Sequence, residues 1–289
     1  MISDAPAPMS HTYFSQRLRL HYVDWGNEDA PTMVLVHGIH DHCRTFDDLA
    51  SEFAASFHVI APDLRGHGDS EWVNGSNYHY IDYIYDLHQL VHQSGLAPIT
   101  LVAHSMGGAI AAMFAGVYPE LVERLVIIEG IGLWSSLTEP VPTNTKIRNW
   151  VSQTRGLAAR QPKRYETLEA AYQRMQQANP QLARDQAMHL TAQGANQNED
   201  GSYSWKYDKY TYNFTVFGYN SEEMIELWRH IAGPVLIINA SHGLAHRIGQ
   251  DDTLRYFADV QLRIVADAGH WTYHDKLAEV AANMRQFLT

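Results

Sequence analysis

Apolar residues along this chain follow two rhythms. Thr32–Val36 (TMVLV), His58–Ala61, Ile99–Ala103 and Leu125–Ile128 are short, nearly continuous apolar runs, the pattern of strands covered on both faces. Between them Phe46, Leu49, Ala50, Phe53, Ala54 and Phe57 recur at helical spacing. Ile84, Leu87 and Val91 do the same ahead of Gly95 and Pro98, and an Ala-rich helical stretch runs from Gly107 to Tyr118. This alternation predicts a mostly parallel sheet with helices on its faces. After Trp134 the strand rhythm stops, and residues 135–230 are polar and helical in pattern. There Leu168, Ala171, Tyr172 and Met175 make one amphipathic helix, ended by Pro180. Asn220 with Glu223 resembles a capping box ahead of Met224, Leu227, Trp228 and Ile231. Strands resume at Val235–Ile238 and Leu262–Val265, and Leu277, Val280, Met284 and Phe287 mark a further helix. The expected organisation is one α/β unit, residues 1–134 and 231–289, carrying a helical insertion at 135–230.

Composition narrows the function classes. Among 289 residues, 21 Lys and Arg stand against 32 Asp and Glu, a net charge of −11. Nucleic acid and anionic membrane surfaces both require a positive patch, so neither is an expected partner. The basic residues Lys206 and Lys209, set among aromatic residues, do not reverse that balance. A single cysteine, Cys43, rules out an intramolecular disulfide framework and a multi-cysteine zinc site. No apolar run approaches the roughly 18 residues of a membrane span. Met1–Ser10 lacks the basic-then-apolar pattern of a signal peptide, so a cytoplasmic location is expected.

The sharpest local signal is Ala103-His104-Ser105-Met106-Gly107-Gly108, between a buried strand and the Ala-rich helix. A serine there sits on a tight strand-to-helix turn with its hydroxyl above the sheet, and small neighbours let the turn close. Ala103 stands where glycine is usual in this pattern, and Gly107 is kept. His270 follows the last strand in another small-residue turn, Asp267-Ala268-Gly269. A serine hydroxyl needs such a base within hydrogen-bond reach to become a nucleophile.

Together with Val36-His37-Gly38, the run Ala61-Pro62-Asp63-Leu64-Arg65-Gly66-His67-Gly68-Asp69-Ser70 and Ala268-Gly269-His270-Trp271, the serine turn makes the chain resemble the α/β-hydrolase superfamily over nearly its whole length. The order and spacing of these pieces carry the resemblance more than any one of them. It is similar to the capped branch that holds haloalkane dehalogenases, epoxide hydrolases and serine hydrolase-like esterases. The first two use an aspartate nucleophile, whereas this chain has Ser105.

The resemblance implies an α/β-hydrolase fold with the 135–230 insertion as a helical cap. It also implies a cofactor-independent serine hydrolase cleaving a carboxylic ester, with Ser105 as nucleophile and His270 as base. The triad acid is expected at Glu129, where Ile127-Ile128-Glu129-Gly130 ends a core strand, since a buried carboxylate there needs a partner such as His270. Asp251 and Asp252 remain the alternatives, although they read as the acidic first turn of a helix. The turn after Val235–Ile238, Asn239-Ala240-Ser241-His242-Gly243, holds no carboxylate. The backbone N–H groups of Ile39 and Met106 are the expected oxyanion donors, and Gly38, His104, Trp134 and Trp271 the expected substrate neighbours.

Other readings stay open at this stage. A lactonase or a C–C bond hydrolase would use the same triad, the latter with a cation from Arg148, Arg155, Arg160 or Arg164 on a substrate carboxylate. A ligand receptor on the same fold would bind without turnover. Peptidase activity has no amine-binding signature. His37-Gly-Ile-His40-Asp41-His42 looks like a ligand cluster, but the resemblance accounts for His37-Gly38, and no metal is expected. The aromatic stretch Trp205, Tyr207, Tyr210, Tyr212, Phe214 and Phe217 either lines an acyl pocket or packs the insertion on the core.

Overall fold

The computed structural model describes residues 7–75, 78–133, 141–212 and 220–289. Its centre is an eight-stranded sheet in the order β1-β2-β4-β3-β5-β6-β9-β10. The strands are β1 (Met9–Ser15), β2 (Leu18–Asp24), β3 (Thr32–Val36), β4 (His58–Pro62), β5 (Ile99–His104), β6 (Val122–Ile128), β9 (Val235–Ala240) and β10 (Val260–Val265). From β4 to β10 neighbouring strands run parallel, while β1 pairs antiparallel with β2 and β2 with β4.

The continuous apolar runs are explained by burial on both sides. Along β3, Val34 and Val36 pack into one core layer and Met33 and Leu35 into the other. The first layer receives α2 (Tyr80–Gln93) through Ile84, Leu87 and Leu90, and α3 (Met106–Val117) through Met106, Ile110 and Met113. The second receives α1 (Asp47–Ser51), α8 (Thr272–Asp275) and α9 (Leu277–Leu288), through Leu49, Tyr273, Val280 and Met284. The helix expected over Phe46–Phe57 is shorter than its apolar spacing. Bonds from Glu52, Phe53 and Ser56 to carbonyls three residues back tighten the chain after α1, yet Phe53 and Phe57 still pack on the core.

Nothing in the apolar pattern marks β1 and β2. Their sequences, MSHTYFS and LRLHYVD, mix polar and apolar residues with no continuous apolar run, and β1 is a sheet edge that buries little beyond Tyr13 and Ser15.

The 141–212 segment carries α4 (Thr143–Ala158), α5 (Leu168–Ala178), α6 (Arg184–Gly194) and a short hairpin of β7 (Ala195–Gln197) and β8 (Tyr203–Trp205). The hairpin departs from the all-helical expectation; its turn holds Asp200-Gly201, with Gly201 at φ +82°. Tyr172, Leu182, Ala187 and Leu190 make a small separate cluster, which touches Trp271 of the core. The last helix of the insertion, α7 (Ser221–Arg229), starts with the expected capping box of Asn220 and Glu223. It packs on α3 and belongs to the first core layer through Met224 and fully buried Trp228. The core layer therefore begins again before residue 231.

Candidate active site

The carboxyl ends of the central strands bring the candidate residues together. β3 connects to β4 on one side and pairs with β5 on the other, so the loops after β3 and β5 diverge and leave a crevice. Gly38 follows β3, Ser105 follows β5, Glu129 follows β6 and His270 follows β10.

Ser105 occupies φ +55°, ψ −120°, a conformation that side-chain-bearing residues rarely adopt. The turn is pinned from the neighbouring strand: Ser105 N–H donates to Ile128 C=O (3.1 Å) and Ile131 N–H to Ser105 C=O (3.1 Å). Gly107 is required because a Cβ there would lie 2.5 Å from the carbonyl oxygens of both Val36 and His37. Ser105 Oγ lies 2.9 Å from His270 Nε2. On the other side of the ring, His270 Nδ1 lies 3.3 Å from Glu129 Oε2.

Glu129 is fully buried, at φ +49°. Its carboxylate lies across the end of β9, where Ala240 N–H donates to Oε1 (2.7 Å) and Leu244 N–H to Oε2 (2.8 Å). Buried Arg247 stands 3.2 Å away and donates to the carbonyls of Ala240 and Leu244. A charge otherwise costly to bury thus has two amide donors and a countercharge. Asp251 and Asp252 are not placed as acids. Both are exposed, in left-handed backbone ahead of a 3-10 turn rather than in a helix's first turn, and Asp252 pairs with Arg255 at 2.6 Å.

The loop after β3 is held by one ring. His37 Nδ1–H donates to Gly38 C=O (2.7 Å), while Nε2 accepts from Leu64 N–H (3.0 Å). Burial lowers His37 to about 3, so the imidazole is neutral and this tautomer is fixed. Because C=O and N–H of a trans peptide point oppositely, tying back the Gly38 carbonyl turns the Ile39 N–H away from His37. A Cβ on Gly38 would stand 2.9 Å from Ser105 Cβ, so this loop passes directly over the serine. Met106 opens α3, and its N–H is among those with no acceptor inside the helix.

Two expected substrate neighbours, His104 and Trp271, have contacts of their own within the fold. His104 is buried behind His270: its Nε2–H donates to the His270 carbonyl (2.9 Å), and its ring lies against those of His270 and Tyr273. Burial, with the nearby His270, holds it well below the usual imidazole range. It packs behind His270, because residues alternate along β5 and this position points into the layer of Tyr273. Trp271, half-buried, bridges the second core layer and the α5–α6 cluster. Trp134 lies outside the described residues, as do Phe214 and Phe217.

The histidines of the 37–42 run do not converge. His40 Nε2 lies 3.1 Å from Thr211 Oγ1, with its ring stacked on Tyr207 at 4.0 Å, while His42 Nε2–H donates to Leu190 C=O. A different group, unmarked by sequence spacing, does converge: His21, Cys43 and Asp63 place ligand atoms within 4.8 Å of one another, all buried. The Asp63 oxygens are already engaged by His21 and by the N–H groups of Cys43 and Asp69, which makes this carboxylate the anchor of the turn after β4.

Residues 31–277 match the family model described as the alpha/beta hydrolase fold. The chain belongs to that family. Among curated relatives, this alpha/beta hydrolase is 27% identical over 224 residues to the serine hydrolase-like protein of Danio rerio, covering 76% of this chain and 68% of that protein. It is 26% identical over 279 residues to an sn-1-specific diacylglycerol lipase of Mus musculus, covering 91% and 82%. Several other curated relatives are matched over only 30 to 32% of their own length. Among solved structures, a thioesterase domain from the curacin biosynthetic pathway superposes with a TM-score of 0.83 at 20% identity, covering 98% of this chain and all of that one. The family and its esterase- and lipase-type relatives make this a hydrolase-superfamily chain. No helix among the described residues is long and apolar enough to cross a membrane.

Proposed function

We propose that this alpha/beta hydrolase cleaves a small-molecule carboxylic ester through an acyl-enzyme on Ser105. The observation that carries the reading is the serine–histidine–carboxylate line, 2.9 Å from Ser105 Oγ to His270 Nε2 and 3.3 Å from Nδ1 to Glu129. With Nδ1–H facing Glu129, Nε2 is left as the acceptor for the serine proton. Ser105 Oγ attacks the ester carbonyl as its proton passes to Nε2, and the N–H groups of Ile39 and Met106 receive the oxyanion. Collapse expels the alcohol, which takes the proton from Nε2. Water then attacks the acyl-enzyme, giving its proton to Nε2, which passes it to the leaving Ser105 Oγ as the acid is released. Glu129 holds the ring and stabilises its cationic form. His104 fixes the backbone of the base from behind. The inserted helices, resting on Trp271, act as the lid that keeps bulk water from the acyl group.

Hydrolysis of p-nitrophenyl esters from acetyl to dodecanoyl, by wild type and by Ser105→Ala, tests this reading. Turnover confined to the wild type is expected, with a chain-length optimum that sizes the acyl site. Turnover surviving in Ser105→Ala, or absent from folded wild type across the series, would overturn it.

A further inference from the structure

A cavity of about 660 Å³ opens between residues 72–75, α4 and the segment 205–210, and neither Ser105, Glu129 nor His270 lines it. Its walls are aromatic: Trp72, Trp150, Trp205, Tyr207 and Tyr210. Its volume falls within the range of small-molecule sites, roughly 300–1,000 Å³. The floor is built in advance of any ligand. Asp208 N–H donates to Gly66 C=O (2.8 Å), His67 and Tyr207 form a β-bridge, and Lys206 pairs with Asp69 at 2.8 Å.

The polar groups around these walls point to one ligand chemistry. Arg160, Lys163 and Lys209 line the cavity without a carboxylate partner among the described residues, whereas their neighbours Arg164 and Lys206 are paired with Asp200 and Asp69. The acid in the lining, buried Asp208, is committed, accepting from Tyr78 O–H (2.8 Å) and Tyr210 N–H (3.0 Å). Three cations without a carboxylate partner among the described residues, one of them (Lys163) over the Tyr165 ring at 5.0 Å, gather at one cavity in a chain of net charge −11. Five rings alone would suit a quaternary ammonium ligand, but three cations repel one. Donors without acceptors call for an anion, and flat apolar walls call for a flat apolar body.

We propose that this cavity binds a small organic carboxylate with an aromatic or similarly flat apolar body, independently of the ester chemistry at Ser105. The carboxylate would meet the cations at the rim while the rings enclose the remainder.

Calorimetric titration with 2-naphthoate and with its neutral counterpart 2-naphthamide tests this. Wild type and Ser105→Ala are expected to bind naphthoate alike, and the amide about tenfold more weakly. Combined Arg160→Gln, Lys163→Gln and Lys209→Gln should weaken naphthoate about tenfold and leave the amide unchanged. Should that triple variant fold poorly, Arg160→Gln alone should still weaken naphthoate and leave the amide unchanged. Absence of naphthoate binding, equal binding of acid and amide, or indifference to these substitutions would overturn the assignment. So would loss of naphthoate binding once Ser105 is covalently acylated.

Discussion

The carboxylate of Glu129 stands in the space that a side chain at position 243 would fill. A Cβ on Gly243 would lie 1.9 Å from Glu129 Oε2, so the two positions share one volume at the ends of β6 and β9. The acid reaches His270 from β6 because the turn after β9 leaves the room for it.

Gly243→Ala is expected to push the carboxylate off His270 and lower kcat about a hundredfold with the fold intact. Glu129→Gln should cost about 10⁴ in kcat. Moving the acid across, with Glu129→Ala and Gly243→Asp together, should recover about tenfold over Glu129→Ala alone, because an aspartate at 243 enters the vacated space. Steady-state kinetics with a p-nitrophenyl ester reads all three, and Gly243→Ala at wild-type rate would remove the shared-volume argument.

Gly38→Ala places a methyl group 2.9 Å from Ser105 Cβ and 3.4 Å from Oγ. Because it displaces the loop that carries the Ile39 N–H, kcat should fall about 10² to 10³. The melting temperature separates this from unfolding: it should stay close to wild type, and a parallel collapse would reassign the effect to stability.

Burial lowers His37, His40 and His274 to about 3 and His67 to about 4. These rings are neutral in the fold, whereas in the unfolded chain they take up protons below about 6.5. The unfolded state therefore binds more protons between pH 6.5 and about 3. Their contribution to stability is complete above pH 6.5 and is lost as pH falls, by at most about 1.4 kcal/mol per pH unit for each ring. Urea midpoints measured at pH 7.5, 6 and 5 should fall in that order. A level profile would mean that these rings are protonated in the fold.

Trp228 stacks on Phe257, ring centroids 5.3 Å apart, and ties α7 to α3. Trp228→Ala should cost about 3–5 kcal/mol in urea unfolding and leave kcat unchanged. Loss of less than about 1 kcal/mol would show that α7 contributes little to the core.

The sheet was legible where strands are buried on both faces, since continuous apolar runs are the direct trace of two covered sides. β1 and β2 left no such trace, and neither did β7 and β8, whose side chains are half exposed or polar. Ser105 was legible because its turn admits only small neighbours, and His270 because of its place in the turn after the last apolar strand. Glu129 could be placed at a strand end, but its partners could not: Arg247 and Gly243 meet it only because β6 and β9 are adjacent. His104 shows the same limit. Its period-two position was readable along β5, yet its bond to the His270 carbonyl spans 166 residues and depends on the strand order.

The order of these pieces along the chain has a consequence for a polypeptide still being synthesised. His37 fastens its loop through Gly38 and Leu64, and the turn around Ser105 is held by β3, β5, β6 with Ile131, and the start of α3. His270 arrives 165 residues after the serine, behind β10. On the proposed mechanism the serine of a nascent chain is therefore chemically silent until β10 and the turn behind it have docked.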